Sequence, residues 1–96
     1  MFILLSRVVP PKLYNVSGKI TVMEGSDVTL YCPSTGVPAP EVTWVFLAPK
    51  RSIVGKGEVL HIANVSADHN GRYICRASNG IGQDAQQMIT LSVRCK

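Results

Sequence analysis

The stretch Asp68-His69-Asn70-Gly71-Arg72-Tyr73-Ile74-Cys75 most restricts what this chain can fold into. It places an acid, a glycine, a tyrosine and a cysteine in the spacing D-x-x-G-x-Y-x-C. Alternation puts Tyr73, Cys75 and Ala77 on one side of a strand. A second cysteine ends another alternating run, Asp27 to Cys32, in which Val28, Leu30 and Cys32 share a face. The single tryptophan, Trp44, lies between them in Val42-Thr43-Trp44-Val45-Phe46-Leu47, so Val42 and Phe46 turn inward with it. The same two-residue period recurs in Lys19 to Met23, in Glu58 to Val65 with Leu60 and Ile62 inward, and in Asp84 to Arg94 with Ile89, Leu91 and Val93 inward.

Turn and breaker residues separate these runs. Pro10 and Pro11 demand an extended backbone and donate no hydrogen bonds. Residues 33–40 hold three prolines and a glycine and read as a loop, whereas Pro49, Gly55 and Gly57 limit residues 48–57 to short edge strands. Asn79-Gly80-Ile81-Gly82 signals a hairpin, because Asn-Gly suits turns with positive φ. Seven to nine short strands without a helical period make a β-sandwich.

From about Pro10 to Val93 the chain resembles an I-set immunoglobulin domain. The resemblance rests on Gly25, Cys32, Gly36-Val37-Pro38-Ala39-Pro40, Trp44, Leu60-His61-Ile62-Ala63-Asn64-Val65, and the set Asp68, Gly71, Tyr73, Cys75, Ala77, Asn79 and Gly82. It implies an all-β, two-sheet Greek-key sandwich with a disulfide between Cys32 and Cys75 and Trp44 covering it. It also implies that the Tyr73 hydroxyl returns to backbone near Asp68 and that Gly71 adopts a backbone other residues avoid. Asp68 is expected to accept hydrogen bonds from that corner or to pair with Arg51. The stretch between Trp44 and Glu58 is too short for the extra hairpin of a variable domain. Val9-Pro10-Pro11 is similar to linkers between tandem domains of IgLON and lachesin-like neuronal adhesion proteins. Residues 1–9 therefore read as a leading segment, 10–94 as the domain, and 95–96 as its boundary.

A chain of 96 residues fits one domain. Such a domain buries only part of its unfolded surface, so a covalent staple matters: closing a loop of about 40 residues contributes roughly 4 kcal/mol in the chain-entropy model. The formal charge of +4 is spread without a basic run and argues for ordinary solubility, not a nucleic-acid surface. Three cysteines leave Cys95 as a free thiol, an intermolecular link, or the partner of a cysteine elsewhere. Met1-Phe2-Ile3-Leu4-Leu5 looks like the start of a signal peptide, yet Ser6-Arg7 ends the apolar run too early. Signal and membrane anchor are expected outside this stretch, and no run is long enough to insert in a membrane. Paired cysteines point to an extracellular setting, at the cell surface or secreted.

Asn15-Val16-Ser17 and Asn64-Val65-Ser66 are sequons at surface positions, which makes Asn15 and Asn64 candidate glycan acceptors. Alternation turns Val45, Leu47, Ile74, Arg76 and Met88 outward on the sheet that holds Trp44. Apolar side chains around an arginine suit a protein–protein patch, and in adhesion immunoglobulins this face commonly pairs domains. His61 and His69 stand apart from any cluster of acids, so neither metal nor cofactor is expected. Asn70-Gly71-Arg72 matches a receptor-recognised tripeptide, but inside the corner motif it reads as scaffold. Cys95 has no positioned base, and no nucleophile–base arrangement stands out.

The expected function is non-enzymatic: cell adhesion or cell-surface recognition, with cell-surface or secreted proteins as partners, homophilic or other immunoglobulin-domain proteins. The alternatives are a ligand-binding module of a receptor kinase or phosphatase, and a structural module of an intracellular muscle or cytoskeletal protein.

Overall fold

The computed structural model describes residues 8–14, 16, 18–47 and 50–95. Among them the strands are β1 (Val9–Leu13), β2 (Lys19–Met23), β3 (Val28–Tyr31), β4 (Ser34–Val37), β5 (Glu41–Phe46), β6 (Ser52–Lys56), β7 (Val59–Ile62), β8 (Gly71–Ser78) and β9 (Ala85–Arg94), with a single 3-10 turn at Ala67–His69. One layer is a five-stranded sheet in the order β2-β9-β8-β5-β6. The other consists of the pairs β1-β4 and β3-β7. The expected two-layer β-sandwich is therefore the fold.

The inward alternation places Leu30, Trp44, Ile89 and Leu91 in a shared core with the Cys32–Cys75 disulfide. Cys32 ends the β3 run and Cys75 lies in β8, so the bond ties one layer to the other, across 6.5 Å between Cα atoms. Trp44 faces Cys75 directly across the β5–β8 ladder and is fully buried. Its indole N–H donates to the Gly57 carbonyl at 2.8 Å, which satisfies the one polar atom that burial would otherwise strand.

Residues 33–40 depart from the loop expected of them. Ser34–Val37 pairs with β1, and the chain passes from the β7 ladder to the β1 ladder at Cys32–Pro33: Cys32 N–H donates to Glu58 O at 2.8 Å and Tyr14 N–H to Pro33 O at 3.1 Å. Composition hid this strand because its partner is itself proline-rich. Pro10 and Pro11 lack N–H groups, and the β1–β4 register shifts between Val9 and Lys12. The expected short edge strand within residues 48–57 is β6, which bulges against β5 between Trp44 and Val45.

Candidate functional site: the outward face of the five-stranded sheet

Strand register builds one row across four strands. Val45 of β5 lies opposite Ile74 of β8 and Ile53 of β6, and Ile74 lies opposite Met88 of β9. The row is apolar from end to end. Its flanks are polar, with Thr43 opposite Arg76 and Arg76 opposite Gln86 on one side and Arg72 opposite Thr90 on the other. Arg76 Nε meets Asp84 Oδ2 at 3.2 Å, an exposed pair that orients the guanidinium beside the row. A shallow groove lined by Thr43, Val45, Arg51, Ser52, Ile53 and Arg76 runs along the β5–β6 side.

The structure corrects the exposure expected here. Val45 points outward but is only 8% exposed, because β6 and β8 flank it on both sides. It forms the floor of the groove and offers little surface to a partner. Leu47 and Ile74 are half-buried, and Leu47 N–H donates to Arg72 O at 2.9 Å just past the end of β5. Met88 is open at 42%, and Ile53 is the most open large apolar side chain of the row at 67%. Sequence reading missed Ile53, because it fell in a stretch judged by its breakers. The signal was present in the aliphatic pair Ile53-Val54 between basic residues.

The corner residues serve the scaffold. Tyr73 Oη donates to His69 O at 2.7 Å, the tyrosine corner that the immunoglobulin resemblance implies, and burial raises the phenol pKa above its ordinary value. Gly71 sits at φ 150°, in the region that side chains avoid. Asn70 Oδ1 accepts the Val93 N–H at 2.7 Å, which holds β9 to the corner and commits the Asn70-Gly71-Arg72 tripeptide to structure. Asp68 is exposed in the 3-10 turn, and among the described residues it makes neither the Arg51 ion pair nor the corner hydrogen bonds expected of it. His69 performs the closing role instead, its Nδ1 accepting the Ser66 N–H at 2.9 Å. His61 Nδ1 meets Thr29 Oγ1 at 2.9 Å, and no group of metal-ligating side chains occurs among the described residues.

Asn79 has a larger role than the hairpin reading assigned to it. Its Nδ2 donates to Val9 O at 2.8 Å and to Pro38 O at 2.9 Å, and its Oδ1 accepts the Ile81 N–H at 3.0 Å. One amide thus joins β1, the turn after β4 and the β8–β9 connection, where Gly80 and Gly82 carry the positive φ. Asn64 is exposed at φ 50° in the turn after β7, its backbone N–H donating to Asp27 Oδ1 at 2.9 Å. The Asn15 sequon and Met1–Leu5 lie outside the described residues. Cys95 is exposed and unpaired among them.

The family model described as an immunoglobulin domain matches residues 10–79. The chain is similar to the limbic system-associated membrane protein of Rattus norvegicus, 38% identical over 86 residues that cover 88% of this chain and 25% of that protein. It is also similar to neuronal growth regulator 1 of Gallus gallus, 34% identical over 85 residues, with coverage of 88% and 24%. It therefore spans about a quarter of the length of the curated relatives it matches. Among solved structures, Dpr11 IG1 bound to DIP-gamma IG+IG2 superposes with a TM-score of 0.80 at 33% identity, covering 91% of this chain and 49% of that one. A chimeric titin Z1Z2 gives a TM-score of 0.80 at 27% identity and covers 95% and 100%.

Proposed function

The chain belongs to the immunoglobulin domain family, and from that premise we propose that it is a non-enzymatic extracellular module that recognises another protein through the outward face of β2-β9-β8-β5-β6. The observation that carries this reading is the continuous row Ile53–Val45–Ile74–Met88, open at both ends and bordered by arginine. Binding energy concentrates where a few apolar anchors are desolvated together inside a polar rim, and this row has that layout. Ile53 and Met88 make the contact, Ile74 and Leu47 lie beneath it, Val45 supports the groove floor, and Arg76 stands at the rim.

Two comparisons support the reading. One curated relative is by name a membrane protein, and one structural neighbour is an immunoglobulin domain bound to a second immunoglobulin-domain protein. A cell-surface adhesion or recognition role follows, with another immunoglobulin domain as the class of partner. The Cys32–Cys75 bond supports an oxidising compartment and weighs against an intracellular filament protein, despite the titin likeness.

The test displays the chain on beads against a panel of immunoglobulin ectodomains that includes the chain itself. Ile53→Arg and Met88→Glu should each weaken capture by about tenfold or more while stability shifts by no more than about 0.5 kcal/mol. Capture that survives both substitutions would sink the proposed face.

We also propose Asn64 as a glycan acceptor, with Asn15 as the second candidate. Asn64 is exposed in a tight turn at the end of β7, in the layer opposite the binding face, so a sugar there leaves that face open. Enzymatic deglycosylation of secreted chain should lower its mass, and Asn64→Gln should remove that portion of the shift. An unchanged mass on treatment rules the sugar out.

A further inference from the structure

Five cations that the sequence scatters are gathered by the fold onto one face. Arg72 and Arg76 flank Ile74 along β8, and Arg51 stands beside Ile53 in the groove. Lys56 lies across from Thr43, and Lys19 lies across from Thr90 at the β2 edge. Carboxylates on this face are few. Asp84 is already paired with Arg76, Glu41 lies at the far end of β5, and Glu24 and Asp68 lie beyond the strand ends, after β2 and before β8. Asp27 and Glu58 accept hydrogen bonds from Asn64 and Ser34. The border of the apolar row is therefore mainly basic, with Glu41 and Glu58 beside Lys56 at one end.

Resting on the recognition role proposed above, we propose that this face binds a different protein, one that presents an apolar centre ringed by carboxylates, and not a second copy of this chain. A symmetric pair formed through the same patch sets each copy's cations against the other's. Like charges facing across an interface are a strong bar to association, whereas an opposite rim both steers the encounter and selects the partner. Apolar anchors supply the grip, and the rim decides whose anchors are admitted.

A charge-reversed version of the chain serves as the probe. Arg51→Glu with Arg72→Glu turns the rim acidic, avoids the Arg76–Asp84 pair, and touches no buried group. Sedimentation is measured on the wild-type chain alone, on the reversed chain alone, and on their equimolar mixture. The mixture should associate about tenfold more tightly than either chain alone, and raising the salt toward 0.5 M should loosen it by about as much. Ile53→Arg in either member should abolish that association.

Wild-type self-association as tight as the mixture, and lost with Ile53→Arg, overturns the inference while the docking face stands. Mixed association indifferent to Ile53→Arg overturns the docking face itself. No association in the mixture overturns the assignment of an acidic partner. Retention on immobilised heparin that Ile53→Arg leaves intact assigns the basic rim to a sulfated polysaccharide and overturns it as well.

Discussion

The two outward faces of this sandwich both expose apolar side chains, yet only one arranges them as a surface. On the layer holding β3 and β7, Tyr31 faces Val59 and both are open, but the next pair along is polar, Thr29 with His61. On the five-stranded layer, Ile53, Val45, Ile74 and Met88 line up across four strands. Exposure alone does not separate the two faces, since Tyr31 and Val59 are 59% and 49% exposed against 67% and 42% for Ile53 and Met88. Contiguity across strands, and not the openness of single side chains, marks a binding face. Isolated exposed apolar residues are ordinary in soluble domains.

Changes in the shared core test this contrast most severely, because both faces hang on it. Trp44→Ala should destabilise the domain by about 3–5 kcal/mol in chemical denaturation, through lost burial and the cavity left beside the disulfide. Both faces should be lost together; a domain that keeps its midpoint would disprove the core assignment. Asn79→Ala comes next, at about 1–3 kcal/mol, because the Val9 and Pro38 carbonyls lose their shared donor. Its effect should fall on the β1–β4 edge, with faster amide exchange there than in β5 or β8.

Tyr73→Phe should cost about 0.5–1.5 kcal/mol by removing the bond to His69 O. It also has a pH signature. Burial raises the Tyr73 pKa in the folded state, so its contribution is fully present below the ordinary tyrosine value of about 10 and lost as the pH climbs through the raised one. Denaturation midpoints of the native chain should decline in that alkaline window, and the decline should be smaller in Tyr73→Phe. An identical alkaline profile in the two chains would contradict the assignment. Tyr31→Arg, on the opposite layer, should be the mildest change: stability within about 0.5 kcal/mol and partner capture unaltered. Weakened capture by Tyr31→Arg would move the binding face to the other sheet.

The Cys32–Trp44–Cys75 frame and the Tyr73 corner were legible through the immunoglobulin resemblance that the spacing of these residues carries. Alternation assigns a side, and each motif residue has one physical task on that side. The β4 strand was not legible, since Ser34–Val37 becomes a strand only through a partner more than twenty positions away in sequence, Lys12 with Thr35 and Leu13 with Ser34. Val45 was placed on the correct side at the wrong depth, because alternation is silent about how closely β6 and β8 cover it. Asp68 carried the expectation that His69 fulfils, and both stand in the same turn, where the motif spacing cannot say which side chain bends back. Ile53 was hidden by its proline- and glycine-marked surroundings, although it lies in the edge strand β6.

The order of residues decides by itself that this chain is a two-layer β-sandwich and which side chains face its core. A two-residue period and a few obligatory turn residues suffice for that, being properties of neighbouring positions. The tertiary structure alone decides which outward residues become neighbours. Ile53, Val45, Ile74 and Met88 come from four strands that meet only through long-range register. The same register collects cations that never form a run in the chain. A binding surface is made of such distant neighbours, and only packing brings them together.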